Sequence, residues 1–130
     1  MADHWVAANT PDRDFYLVLK VFSGYRLCTS QAQGWHQYAP SSRTDRQRGY
    51  SFAIAPGFHR TGDPADSGRP YLARDLAAFQ QAAADMVASG EPWQLVTSFN
   101  EWGENTATES AEEWSSASGY GQYLDALAGA

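Results

Sequence analysis

The chain has 130 residues, of which 43% are hydrophobic and 18% are charged, a balance typical of one globular domain and not of a disordered segment. Its formal net charge of -6 argues against a nucleic-acid binder, which usually carries a basic patch. The single cysteine excludes an intrachain disulfide, and no apolar run is long enough to span a membrane. Aromatic residues make up 14% and suit either a sugar-binding cleft or a large aromatic core.

Short apolar runs along the chain predict buried strands. The opening residues, around 2–8, are typical of the end of a helix. The runs 15–22, 50–55 and 93–99 are rich in β-branched and aromatic residues, which favours strands buried on both faces of a parallel sheet. A weaker strand candidate covers 34–38.

The clearest helix covers about residues 71–89, and a second helix over 120–128 closes the chain. Gly90 is well placed to end the first helix, because glycine tolerates the left-handed conformation that often follows a helix. The order of strands and helices predicts right-handed βαβ units and a parallel sheet. The apolar face of the first helix is formed at helical spacing by Leu72, Leu76, Phe79, Ala83, Met86 and Val87.

Long loops follow the predicted strands, at 23–34, 40–49, 56–70 and 100–119. In (β/α) barrels, the loops that follow the strands form the active face. The second of these loops contains a basic cluster that an aspartate interrupts, and it is interpreted as a solvated loop. The cluster consists of Arg43, Arg46 and Arg48.

Glu101 and Glu104 come just past the end of the last predicted strand, where barrel enzymes carry catalytic side chains. Two close carboxyl groups can catalyse glycoside cleavage together, one as an acid and the other as a base or nucleophile. Trp102 between them could desolvate one carboxyl group and raise its pKa. Asn100 can bind a sugar hydroxyl or orient a glutamate, and Trp102 and Glu109 are further candidate substrate-binding residues of the same segment. The same spacing also suits a helix N-terminus, so spacing alone leaves catalysis open.

Residues 96–109 read Val-Thr-Ser-Phe-Asn-Glu-Trp-Gly-Glu-Asn-Thr-Ala-Thr-Glu. This stretch resembles the signature of the endo-α-mannosidase and endo-α-mannanase family of glycoside hydrolases, which is close to T-S-[FW]-N-E-W-x-E-G-[TS]-x-[IV]-E-P. Residues 55–58, Ala-Pro-Gly-Phe, resemble the Pro-Gly-aromatic turn that follows the preceding strand in that family. The resemblance implies an α/β fold, a partial (β/α)8 TIM barrel whose carboxyl-terminal βα units have parallel strands.

In that family the two glutamates of the motif are the catalytic pair. The resemblance therefore implies that Glu101 is the base that assists the sugar 2-hydroxyl, with retention through an anhydro-sugar intermediate. It implies that Glu104 is the general acid and base at the glycosidic oxygen of an α-linked oligosaccharide or polysaccharide. Related domains occur in polysaccharide-biosynthesis proteins, so a non-catalytic glycan-binding or accessory domain and an inactive fragment remain as alternatives.

Three positions depart from the family pattern. Asn105 replaces a glycine at a position that favours a positive φ, which asparagine tolerates better than most residues. Thr108 replaces an aliphatic residue, and Ser110 replaces a proline. These changes leave the two glutamates untouched and bear on the geometry of the loop.

Other candidate binding residues lie in two shorter segments. Trp35 and Tyr38 could stack on sugars and His36 could bind a hydroxyl, although alternate residues of a strand also pack into a core. His59 follows the Pro-Gly turn and is expected either to face the cleft or to be exposed. No zinc-ligand spacing and no glycine-rich phosphate loop is visible, so no metal and no other cofactor is expected.

The predicted strands are too few to close an eight-stranded barrel, and open sheet edges would be exposed. We therefore expect residues 1–130 to be one carboxyl-terminal portion of such a barrel, truncated at its amino end. The opening residues have neither a basic nor an apolar region, so no signal peptide is visible. The compartment and the oligomeric state stay open, and secretion of a longer parent is compatible with this sequence.

Overall fold

The computed structural model of the protein describes residues 2–64 and 68–130. In this part of the chain, helix α1 spans Ala2–Ala8, α2 spans Leu76–Ser89 and α3 spans Gln122–Ala128. None of these helices has the length and apolar character needed to cross a membrane. The predicted loop 56–70 falls partly outside the described residues, because residues 65–67 belong to the gap.

The described strands form two small sheets. In the first, β1 (Val18–Lys20) pairs in parallel with β2 (Gly34–His36). In the second, β3 (Thr44–Gln47) pairs antiparallel with β4 (Ser51–Ile54), and β4 pairs in parallel with β5 (Trp93–Val96). Strand β4 is buried along its whole length, as its apolar sequence predicts for a strand covered on both faces. The described part of the chain is therefore a mixed α/β structure.

Helix α2 begins later than the sequence pattern predicts. Asp75 is the N-cap, and its side-chain oxygen accepts a hydrogen bond from the backbone N–H of Ala78 at 3.0 Å. Leu72 lies upstream in extended backbone and forms an isolated β-bridge with Phe58, so it is not part of the helix face. The C-terminal end is as predicted, because Gly90 adopts φ 64° there.

Strand β3 occupies part of the predicted loop 40–49, so the interpretation of the basic cluster as a solvated loop is wrong. Arg43 donates to the carbonyl of Pro56 at 2.6 Å, and desolvation by burial lowers the pKa of its guanidinium. Arg46 donates from Nε to the buried carboxylate of Glu91 at 2.7 Å. These polar side chains find their partners in distant segments, which a local sequence pattern cannot reveal.

Two hydrophobic clusters form the core. The first packs β4 against α2 and α3, and the second packs α1 against β1, β2 and the turn at Tyr25–Leu27. Buried members of the first cluster include Phe52, Ile54, Phe79, Ala82, Ala83, Met86, Trp114 and Tyr123. Buried members of the second are Ala2, Leu17, Tyr25, Ala32 and Trp35.

The direction of the parallel strands decides where the polar segments meet. At the amino ends, the indole of Trp93 approaches Gly34, and its ring centroid lies 5.9 Å from that of Tyr16. At the carboxyl ends, the hydroxyl of Tyr38 after β2 reaches the carboxylate of Glu104 after β5. The segments that follow β2 and β5 therefore gather at one edge.

Candidate functional site

The segment after β5 folds back on itself beneath the proposed catalytic residues and contains a cis peptide bond between Thr97 and Ser98. The hydroxyls of Ser98 and Thr106 lie 2.8 Å apart, and Thr108 donates from its hydroxyl to the Ser98 carbonyl at 2.8 Å. The backbone of Glu101 is held on both sides. Its N–H donates to the Ser98 hydroxyl at 3.1 Å, and its carbonyl accepts from the Thr106 N–H at 3.2 Å.

A single turn of 3-10 helix, Trp102–Glu104, follows Glu101. Asn105 ends this turn with φ 54°, and its N–H donates to the Trp102 carbonyl at 3.0 Å. The prediction of a positive φ at position 105 is thus confirmed. The turn leaves the side chain of Glu101 exposed and that of Glu104 half-buried.

The segment after β4 anchors the other side of this turn. The backbone N–H of His59 donates to the Glu104 carbonyl at 3.0 Å, and the N–H of Thr61 donates to the Gly103 carbonyl at 2.8 Å. The imidazole of His59 packs edge-on against Tyr71, with centroids 5.9 Å apart. Its Nε2 is buried and has no hydrogen-bond partner within the described residues. His59 therefore lies beside Glu104, with one ring nitrogen unsatisfied.

Tyr38 is tied directly to one of the two glutamates, because its hydroxyl donates to Oε2 of Glu104. Desolvation raises the pKa of Tyr38 from 10.0 to about 12, and the hydrogen bond and charge of Glu104 and the charge of Glu101 add to this effect. The phenol is therefore a neutral donor at ordinary pH. The ring, predicted to stack on a sugar, is 44% exposed. His36 ends β2 two residues earlier and is half-buried.

Trp35 is fully buried, with a relative exposure of 0%. Its ring packs against Tyr25 and Phe22, with centroids 4.8 and 5.9 Å away, and its Nε1 donates to Gln31 at 3.2 Å. The sugar-stacking role predicted for Trp35 does not fit this position. The side chain packs into the core, the alternative that strand geometry also allowed.

Trp102 does not pack over its neighbouring glutamates as predicted. Its Nε1–H donates to the carboxylate of Glu109, and its ring stacks on Trp114 with a centroid distance of 5.4 Å and an interplanar angle of 15°. Trp114 donates from Nε1 to the Glu109 carbonyl at 2.8 Å. Asn100 is exposed, and its carbonyl accepts from the Trp102 N–H at 3.1 Å. The structure thus joins two predicted site residues, Trp102 and Glu109, to each other.

Arg74 supports the site and gives no signal in the sequence, since it is an isolated arginine before a helix. It donates from Nη1 to the carbonyl of Asn105 at 3.1 Å and from Nη2 to the carbonyl of Ala107 at 2.8 Å. Its guanidinium carbon lies 4.0 Å from the ring centroid of Trp114. A Cβ at Gly57 would lie 2.5 Å from the Arg74 side chain, so the Pro-Gly turn needs glycine for this close approach.

Within the described ranges, no group of three or more His, Cys, Asp and Glu side chains is arranged to hold a metal ion. Comparisons of the chain with protein-family models, with curated proteins and with solved structures find no match.

Proposed function

We propose that this chain carries the catalytic carboxylates of a retaining glycoside hydrolase that acts on α-linked glycans, within the carboxyl-terminal βα units of a (β/α) barrel. The observation that carries the proposal is the hydrogen bond from the Tyr38 hydroxyl, after β2, to the carboxylate of Glu104, which follows β5 three residues beyond Glu101. Ligands of parallel α/β sheets bind at this end of the strands. The resemblance of the Asn-Glu-Trp-Gly-Glu segment to the endo-α-mannosidase family supports the same assignment.

In the proposed reaction, Glu101 removes the proton of the sugar 2-hydroxyl, and the resulting oxygen attacks the anomeric carbon. Glu104 protonates the glycosidic oxygen as its bond to that carbon breaks, which releases the leaving sugar and forms a 1,2-anhydro sugar. Glu104 then takes a proton from water, the water oxygen attacks the anomeric carbon, and Glu101 returns its proton to the 2-oxygen. Two inversions give net retention. The scheme differs from the usual one, in which a carboxylate attacks carbon directly.

The surroundings of the two carboxylates suit these different roles. Glu101 is exposed on a backbone that Ser98 and Thr106 fix, so its side chain can reach a sugar hydroxyl. Glu104 is half-buried, and the Tyr38 hydroxyl binds its Oε2, which leaves Oε1 for the glycosidic oxygen. Tyr38 stays protonated at ordinary pH and is therefore a positioning residue for Glu104.

The test compares Glu101→Gln and Glu104→Gln with the wild type in the protein expressed from its complete reading frame. Glutamine keeps the shape of the side chain and removes its acid–base chemistry, so each variant should lower the cleavage rate by about 10²–10⁴-fold. Glu113→Gln is the matched control, because Glu113 is an exposed glutamate of the next turn. Cleavage of α-linked manno- and gluco-oligosaccharides is followed by chromatography, and the first anomer formed by NMR. Near wild-type rates in both variants would contradict the assignment.

A second candidate function is glycan binding without cleavage, in a binding or biosynthetic accessory domain. The 45% exposure of Trp102 favours it, because a stacking ring needs no acid or base beside it. The same oligosaccharide panel separates the two candidates. Binding by a wild-type protein that cleaves none of the panel supports the accessory function and contradicts the hydrolase.

A further inference from the structure

Several aromatic rings at the carboxyl-end edge are exposed, but the contacts of Trp102 fix its ring more firmly than those of its neighbours. Phe99 is 59% exposed, and Tyr71 is 62% exposed with an edge contact to His59. Trp102 has one face stacked on Trp114 and is nevertheless 45% exposed. An aromatic face with a carboxylate at its edge, here that of Glu109, suits a sugar site, because the apolar face of a pyranose can cover the ring while its hydroxyls meet polar groups.

We infer that the exposed face of Trp102 is the stacking platform of a sugar subsite beside Glu109 that takes an uncharged pyranose and rejects an acidic one. This inference rests on the glycan site proposed above and specifies its ligand. The carboxylate of Glu109 accepts the indole N–H of Trp102, so a sugar ring stacked on the indole lies next to that carboxylate.

The platform is held before any ligand binds. The indole N–H of Trp102 is fixed by the carboxylate of Glu109, and its inner face is fixed by Trp114. Trp114 is in turn held by its own hydrogen bond to the Glu109 carbonyl and by the guanidinium of Arg74. A ring that is already ordered loses little conformational entropy on binding, so its contact area is converted efficiently into affinity.

The charges around the platform decide which sugars it accepts. The carboxylate of Glu109 lies at the edge of the Trp102 ring, and the face of that ring is itself electronegative. Glu101 and Glu104 add two further acidic residues to the same short segment of the chain. The neighbouring Arg74 directs its guanidinium to the carbonyls of Asn105 and Ala107. A uronic acid at this subsite would meet like charges, whereas a neutral hexose would not.

The experiment measures binding by titration calorimetry at physiological salt, with Glu104→Gln as the background in the protein from its complete reading frame. This variant is expected not to cleave its ligand, and it keeps Glu101 and Glu109. The neutral probe is an α-linked manno-oligosaccharide, and the acidic probe is an α-linked galacturonate oligomer of the same length. We expect the neutral probe to bind at least about tenfold more tightly, a difference of about 1.4 kcal/mol.

Two substitutions of Trp102 distinguish the effect of its flat aromatic ring on binding from the effect of its size. Trp102→Leu still covers Trp114 but offers no flat face, and should weaken neutral-probe binding by about tenfold or more. Trp102→Phe keeps a ring without the N–H and should lose less. Trp5→Phe is the control, because Trp5 is 54% exposed on α1 and lies in the other hydrophobic region. Near-ultraviolet circular dichroism checks that each variant keeps its fold.

The inference is overturned if folded Trp102→Leu binds the neutral probe within twofold of its background, if the galacturonate binds as tightly, or if neither probe binds. These results are distinguishable from a failure of the proposed hydrolase. If the wild type cleaves the oligosaccharide and Trp102→Leu has an unchanged KM, the stacking platform is contradicted and the proposed hydrolase is supported. If binding depends on Trp102 but the wild type cleaves nothing, the stacking platform is supported and the proposed hydrolase is contradicted.

Discussion

Replacement of Arg74 by methionine tests whether the segment after Glu104 depends on the helical layer for its position. The change removes two hydrogen bonds from a charged donor, at 2.8 and 3.1 Å, each contributing about 1.5–3 kcal/mol. The two bonds share one desolvated guanidinium, so their contributions do not add in full, while the loss of the contact with Trp114 adds about 0.5–2 kcal/mol. We expect Arg74→Met to lower the free energy of unfolding by about 3 kcal/mol, the low end of what two hydrogen bonds from a charged donor contribute.

Urea unfolding followed by far-ultraviolet circular dichroism measures this loss by linear extrapolation. Arg69→Met is the matched control, because the Arg69 side chain is 59% exposed and pairs with Asp63 at 2.9 Å. Such a surface pair contributes about 0–1 kcal/mol. If Arg74→Met costs no more than Arg69→Met, Arg74 does not hold the Asn105–Ala107 backbone and the reasoning is refuted.

The remaining predictions concern Tyr38 and Asn105. In a tyrosinate absorbance titration, the wild type should show a phenol with a midpoint near pH 12 that Tyr38→Phe lacks. The folded state raises this pKa, so the contribution of Tyr38 to stability should be present below pH 10.0 and be lost as the pH rises towards 12. If the phenol that Tyr38→Phe removes titrates near pH 10.0 in the wild type, the bond to Glu104 is excluded. At Asn105, where φ is 54°, alanine should be less stable than glycine by about 1 kcal/mol in urea unfolding, and equal stabilities would contradict the left-handed conformation.

Local signals in the sequence predicted several elements well. The apolar run 50–55 contains β4, which is buried on both faces as predicted. The run 93–99 begins with β5, whose residues are exposed or half-buried, so the strand is confirmed and its predicted burial is wrong. Gly90 ends α2, and Asn105 takes a positive φ, because both residues tolerate the left-handed region that bulkier side chains avoid. Each of these features depends on residues adjacent in the chain.

Other features depend on partners that are distant in the sequence. Strand β3 is polar, and it is held by β4 and by the bond of Arg46 to Glu91, 45 residues away. Trp35 could have faced either side of its strand, and packing against Tyr25 decides that it is buried. A local sequence pattern does not reveal contacts between distant residues. For this reason, the loop predicted for Arg46 and the sugar contact predicted for Trp35 were wrong.

By itself, the sequence determined the position of two glutamates just past the end of a strand, because the apolar run and the acidic motif are consecutive. Only the tertiary structure decided what surrounds them. It brought the Tyr38 hydroxyl to Glu104 across 66 residues, stacked Trp102 on Trp114, and joined the indole N–H of Trp102 to the carboxylate of Glu109. The physical reason is that hydrogen bonds and ring stacking form between surfaces in space, and chain folding, not residue order, sets which surfaces meet.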